Sequence, residues 1–389
     1  QNLPTLQELG VGWQSANGVW QVTPSGRLDL EGYLPGDAPP WLIPSTRPFV
    51  APRASLLVDV FAGRRVSALV EARADRGEAP ADRPLEVRIE QAYLRVAPVP
   101  GVDAWVQAGK ILSPFGGWTQ RHASLTADPF IRPPLPYDYR TMICASFIPA
   151  GAAGFVTWKD DPDFFRAMGA PPVWGAPYQV GAMAAAGWKR LSARLAVLNS
   201  APSSEPAEWN HLGAGDHGPS WVARADLQVV PELRVGASYD KGSYLVDHPG
   251  GAPLPAGTDV AHYTQELWGL EAAFARGPVE ARGELIYDTW DVPNFPDYPK
   301  DVSFYGEAKV KLSPGLYAAA RYSGIRFNRI DNGAGTKVEW DYPVDRVQVA
   351  AGYRLSRNTE VRAEYMLNST DAPPHANDDL FSVRWSWTF

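Results

Sequence analysis

The chain has 389 residues, with 36 Lys and Arg against 43 Asp and Glu, so its net charge of -7 excludes a basic footprint for nucleic acid. Its single cysteine, Cys144, excludes an internal disulfide, a cysteine-rich metal site and covalent haem attachment. There is no run of about 18 apolar residues to make a transmembrane helix, while 35 Gly, 37 Pro and 12% aromatic residues point to many short β elements separated by turns.

The mean hydropathy of -0.25 resembles that of a soluble protein. A membrane barrel has the same average, because its strands alternate lipid-facing apolar residues with lumen-facing polar ones. In chain order, residues 1–24 precede any regular alternation. Leu3, Leu6, Leu9 and Trp13 suit a short amphipathic turn, and the expectation is a frayed N-terminal periplasmic segment, with a plug or partner-binding segment as the alternative. A first strand near 27–34 opens the barrel proper, residues 25–389.

From there, pairs of period-two strands meet at tight turns: Gly63-Arg64, 98–101, Pro149-Ala150-Gly151, Lys189-Arg190, Val230-Pro231-Glu232, Arg276-Gly277, Ser313-Pro314-Gly315 and Ser356-Arg357-Asn358. Longer segments rich in Pro, Gly, Asn, Asp and His separate the pairs, near 34–51, 76–84, 112–140, 159–176, 200–219, 246–262, 291–301, 328–343 and 369–379. Strict alternation of short and long connections predicts an all-β transmembrane antiparallel β-barrel with short periplasmic turns and long extracellular loops. The count is about 18 strands. It falls to about 16 if residues 141–158 are not two strands around Pro149-Ala150-Gly151.

In the final strand Phe381, Val383, Trp385, Trp387 and Phe389 alternate with Ser382, Arg384, Ser386 and Thr388. A soluble β-sandwich, the rival fold, would have to bury both tryptophans under a second sheet, whereas a bilayer covers them directly. The terminal aromatic resembles the C-terminal signal that the barrel-insertion machinery reads in outer-membrane proteins.

Charge at mid-membrane costs about 2 to 4 kcal/mol on the lipid face, so charged strand positions are expected to face the lumen. The basic wall residues are Arg88, Arg224, Arg282, Lys309, Lys311, Arg321, Arg362 and Arg384, with acidic neighbours such as Glu90, Asp226, Glu284, Glu307 and Glu364. Many should pair along the wall. The strongest functional segment is loop 112–140, whose prolines and aromatics restrict the chain and supply apolar anchors. Lys110 at the preceding strand end, with Arg121, His122, Asp128, Arg132, Asp138 and Arg140, makes a candidate pore constriction if the loop folds inward. Folded outward, the same loop is an ordered extracellular cap.

The run GKILSPFGGW at 109–118 resembles the corresponding segment of the phosphate-selective porin family and its broader outer-membrane relatives. The resemblance implies an inward loop with basic residues forming a constriction for anions, and so implicates Lys110, Arg121, Arg132 and Arg140. No ladder of unopposed arginines along the strands accompanies it.

The expected function is an outer-membrane porin for passive diffusion of small hydrophilic solutes or ions. The alternative is a structural barrel or sheath holding a lipoprotein or an electron-carrying cytochrome. Neither a GxSxG elbow nor an HExxH helix is present, and His122, His211, His217, His248, His262 and His375 fall mainly in connections. The expectation is therefore no enzyme, no cofactor and no metal. The expected setting is the bacterial outer membrane, with its lipid, the insertion machinery, and a homo-oligomer or a lumen or periplasmic protein as partners.

Overall fold

Strands whose odd and even residues differ in polarity need two solvents, and this chain builds a surface that separates them. The computed structural model describes residues 11–36, 45, 47–76, 85–122, 128–160, 168–205, 218–372 and 377–389. The barrel strands are β1 Trp20–Pro35, β2 Phe49–Ala62, β3 Val66–Asp75, β4 Glu86–Val96, β5 Ala104–Leu112, β6 Tyr178–Trp188, β7 Leu191–Leu198 and β8 Ser220–Val230. They continue as β9 Leu233–Ser243, β10 Thr264–Arg276, β11 Val279–Trp290, β12 Lys300–Ser313, β13 Leu316–Phe327, β14 Val344–Ser356, β15 Thr359–Thr370 and β16 Asn377–Thr388.

Each strand pairs antiparallel with its chain neighbour, and β16 pairs with β1 from Arg27 opposite Thr388 to Pro35 opposite Leu380, which closes the sheet. Closure leaves no barrel edge to template aggregation. The seam is fastened at its end by Gly26, whose amide donates to the Phe389 carbonyl at 2.9 Å and whose carbonyl accepts from the Phe389 amide at 3.0 Å. The Phe389 ring occupies the space of a Cβ at position 26, so any larger residue there would have to displace the ring. Beyond β16, the short strand Trp13–Gln14 turns back and pairs with Gln21 and Val22 of β1.

Three expectations are corrected. The barrel has sixteen strands, the lower of the two counts. Residues 141–158 are not a strand pair around Pro149-Ala150-Gly151: Phe147–Ile148 makes only a two-residue parallel pairing with Gly250–Gly251, and Ala152–Thr157 is a helix. The physical reason is that Met142, Ile143, Ile148, Phe155 and Trp158 are all buried, so this stretch packs apolar residues of both parities and has no lipid-facing side. Residues 113–177 are consequently one connection between β5 and β6. The barrel also begins earlier than residue 25, since β1 starts at Trp20. Leu3, Leu6 and Leu9 lie outside the described residues, as do His211, His217 and His375.

Outward-facing positions form an exposed apolar band that includes Leu94, Leu195, Leu270, Leu285, Val349 and Val383. Trp385 and Trp387 stand on this outer face, half-exposed, while Ser382, Arg384 and Ser386 on the opposite parity are buried. Aromatic residues flank the band, with Trp20 and Trp188 toward the short turns and Trp221 and Trp268 toward the long loops. The buried apolar core lies inside the barrel instead. Phe115, Trp118, Tyr137 and Val173 of the β5–β6 connection pack on Ile111, Met183, Leu267, Ile286 and Tyr305 of the wall. Tyr139, Met142, Phe155 and Trp158 pack with Trp290, Phe327 and Trp340 toward the loop end.

Leu270 is 60% exposed in mid-β10. Leu270→Arg is expected to destabilise the barrel by about 2 to 4 kcal/mol, measured by reversible denaturant titration in lipid vesicles; a loss near zero would mean this face does not meet lipid.

Candidate functional site

Prolines at 129, 133, 134 and 136 keep this part of the β5–β6 connection out of any β ladder. Its carbonyls then need donors from elsewhere, because buried backbone groups without partners are costly. The wall of β13–β16 supplies them. Tyr317 donates its hydroxyl to the Pro129 carbonyl at 3.2 Å, Arg362 to Phe130 at 3.2 Å, Arg384 to Ile131 at 2.9 Å, Arg321 to Arg132 at 3.0 Å and Arg346 to Pro133 at 3.3 Å. The amides of Ile131 and Arg132 donate to the Glu364 carboxylate. Further along the wall, Glu284 of β11 accepts from the Gly117 amide at 3.0 Å and the Tyr137 hydroxyl at 2.9 Å. The segment is thus folded inside the barrel and hydrogen-bonded to it.

Ion pairs complete the latch. Arg321, fully buried, lies 3.1 Å from Asp128 and 2.9 Å from Glu307, with its guanidinium 3.9 Å from the centre of the Phe130 ring. Arg346 meets Asp138 at 2.5 Å, and Arg132 meets the same carboxylate. Arg121 lies 2.8 Å from Glu307 and 3.5 Å from Asp128, which also accepts from the Trp118 indole at 2.9 Å. His122 contacts the Thr119 carbonyl at 2.7 Å and the Tyr178 hydroxyl at 3.1 Å. Burial pulls its pKa from the ordinary 6.5 down to about 4, so it is neutral at pH 7.

Five of the seven constriction candidates, Arg121, His122, Asp128, Arg132 and Asp138, therefore sit in or beside this latch. The other two have different partners: Lys110 donates to the Ile89 carbonyl at 2.8 Å, and the Arg140 guanidinium stands 4.8 Å from the centre of the Trp174 ring. The wall candidates face inward and pair. Arg224 meets Asp226 at 2.8 Å and Arg282 meets Glu280 at 3.2 Å. Lys309 stands 4.8 Å over the Tyr317 ring, and Lys311 meets Glu280 at 3.2 Å while staying exposed. Arg362 meets Glu360 at 2.5 Å and Arg384 meets Glu31 at 2.7 Å.

On β2–β4 three arginines keep partly exposed side chains. Arg53, Arg73 and Arg88 stand on three consecutive strands with side chains 29%, 14% and 19% exposed, whereas their partners Asp75 and Glu90 are only 3% and 5% exposed. Arg53, Arg73 and Arg88 approach Asp75 at 3.1, 2.6 and 2.6 Å. The Asp75 and Glu90 side chains are more deeply buried than the arginines they pair with, while Asp59 and Glu71 of the same wall are partly exposed. Sequence reasoning named Arg88 but missed Arg53, Asp75 and Glu31. The signal was present, since Arg53, Ser55 and Asp59 alternate with Pro52, Ala54, Leu56 and Val58.

No family model matches the sequence, and no curated protein matches it. Solved structures do. OmpF of Salmonella typhi, in complex with daunomycin, aligns with a TM-score of 0.58 at 13% identity, over 97% of this chain and 100% of that one. The chain has the fold of an outer-membrane porin. The outer membrane channel DcaP of Acinetobacter baumannii shares this porin fold at a TM-score of 0.57 and 13% identity, over 97% and 99% of the two chains. A trimer form of OmpT from Vibrio cholerae matches at 0.55 and 10% identity, over 95% and 100%. Within this porin fold, the latch is the feature that places the described residues of 112–140 inside.

Arg321→Ala leaves Asp128 and Glu307 without this buried partner. The expected cost is about 3 to 5 kcal/mol, read as a lower denaturation midpoint, together with protease cleavage within residues 112–140. A variant as stable and protease-resistant as the parent would contradict the latch.

Proposed function

We propose that this chain is an outer-membrane channel for passive diffusion of small hydrophilic solutes, narrowed by residues 112–140 and favouring anions. The observation that carries the proposal is the unequal exposure of the wall's basic side chains. The inserted segment takes its hydrogen bonds from β11 and β13–β16, whereas the side chains of Arg53, Arg73 and Arg88 on β2–β4 stay 29%, 14% and 19% exposed. Lys110 on β5, which donates to the Ile89 carbonyl of β4, adds positive charge to the same side of the barrel. Low-dielectric walls focus such fields, which concentrates counter-ions in the narrowing.

The sequence run 109–118 suggests phosphate as the solute. Because each wall arginine is backed by a carboxylate, we propose a broader preference for anions instead. The sheath reading, with a lipoprotein or cytochrome in the lumen, is disfavoured because the inserted segment fills the space such a partner would need. The partners we propose are membrane lipid around the apolar band and the insertion machinery at Phe381, Val383, Trp385, Trp387 and Phe389. Further copies of the chain are a third, by analogy with the trimer form of OmpT.

Reconstitution in planar bilayers is expected to give ohmic conductance, with a reversal potential in a potassium chloride gradient displaced toward that of chloride. Arg53→Gln with Arg73→Gln and Arg88→Gln should move it toward that of potassium. An absence of current from inserted protein would defeat the channel reading, and potassium preference in the parent would defeat the anion reading.

A further inference from the structure

The outer face of β5–β8 carries a furrow of about 610 Å³ in the apolar band. Its floor is Ala182 and Ala184 of β6, with Leu94 and Val106 forming one bank and Leu195 and Trp221 the other. The register explains the shape. Ala184 lies opposite Val106 on one side and Leu195 on the other, so a methyl side chain stands between two larger ones. Outer-face alanines also occur on β12–β15, but here they are bordered on both sides by larger side chains.

On β6 the furrow's lining ends at Ala184, and the next outer-face positions of that strand lead to a cationic turn. Ala182, Ala184 and Ala186 follow one another on the outer face of β6 and lead to Trp188, 68% exposed, at the strand end. Lys189 and Arg190 form the turn, both exposed. The Lys189 ammonium stands 4.6 Å from the centre of the Trp188 ring. Arg190 donates one nitrogen to the Val229 carbonyl at 3.0 Å, and a guanidinium carries further donors for a phosphate. Asp103 of the neighbouring turn lies against Gly187, on the inward-facing parity of β6. From Ala184 to Lys189 is about 17 Å along the strand, which after barrel tilt fits within one leaflet of a ~30 Å hydrocarbon core.

We propose that this furrow holds an acyl chain of an anionic phospholipid whose headgroup phosphate is met by Lys189 and Arg190. Charge complementarity selects the occupant. A zwitterionic lipid gains the same apolar contact, but it brings its own cation to a turn that already has two. A second copy of the chain would have to seat its own apolar band beside those same cations, which it also carries at the matching turn.

The test uses the full-length barrel in nanodiscs of equal phosphatidylglycerol and phosphatidylcholine, released into mild detergent and weighed intact. The parent is expected to retain one phosphatidylglycerol in preference to phosphatidylcholine, by about fivefold or more for two near-surface cations. Lys189→Gln with Arg190→Gln should remove the preference while leaving retention of either lipid. Ala184→Trp, which fills the floor, should lower retention of both. Equal retention of the two lipids by the parent, or a preference that survives the turn variant, overturns the proposal. So does an Ala184→Trp variant that changes the oligomeric mass rather than the lipid count, which assigns the furrow to a second copy. Conductance is read separately and does not depend on either variant.

Discussion

A peptide backbone inside a closed barrel has no free strand to pair with. Every wall strand already spends its amides and carbonyls on two neighbours, so an inserted segment must hydrogen-bond to side chains. This constraint accounts for the chemistry of β13–β16. Arginine is suited to the task because its fork of donors takes a carbonyl and a carboxylate together. Arg321 does so with the Arg132 carbonyl, Asp128 and Glu307, and Arg346 with the Pro133 carbonyl and Asp138. The prolines of the segment reduce the number of amides that need acceptors, and Glu364 takes two of those that remain.

The same constraint divides the lumen. Where the segment lies, wall charges are consumed in holding it and are buried. Where it does not, along β2–β4, arginine side chains stay partly exposed while Asp75 and Glu90 are more deeply buried. The two parts of the wall thereby differ in how far their basic side chains are exposed. Geometry, more than the count of charges, sets the local field.

Much of the barrel was legible because its rule is local. Period two with a charge on one parity marks a strand whether it reads Val347 to Leu355 or Phe381 to Phe389, and seven of the eight expected tight turns join consecutive barrel strands. The eighth, at Pro149-Ala150-Gly151, failed because Met142, Ile143, Ile148 and Phe155 answer to a core formed between loops, and such a core leaves no period in the sequence. Loop 112–140 stood out in the sequence by its prolines, aromatics and charges. Its inward path was not legible, because the partners that hold it, Glu284, Arg321, Arg346, Arg362, Glu364 and Arg384, come from strands more than a hundred residues away. Arg53 and Asp75 were within reach of the alternation rule, and Asp75 ends β3 next to a segment expected to be a loop.

Hydrogen exchange of the backbone between Asp128 and Arg140, followed by mass spectrometry on the folded barrel, tests the latch most directly. The Ile131 and Arg132 amides are expected to be protected to the same degree as those of the β13–β16 strands that hold the segment. Exchange as fast as that of exposed turns such as 63–65 would contradict an inserted, side-chain-bonded segment.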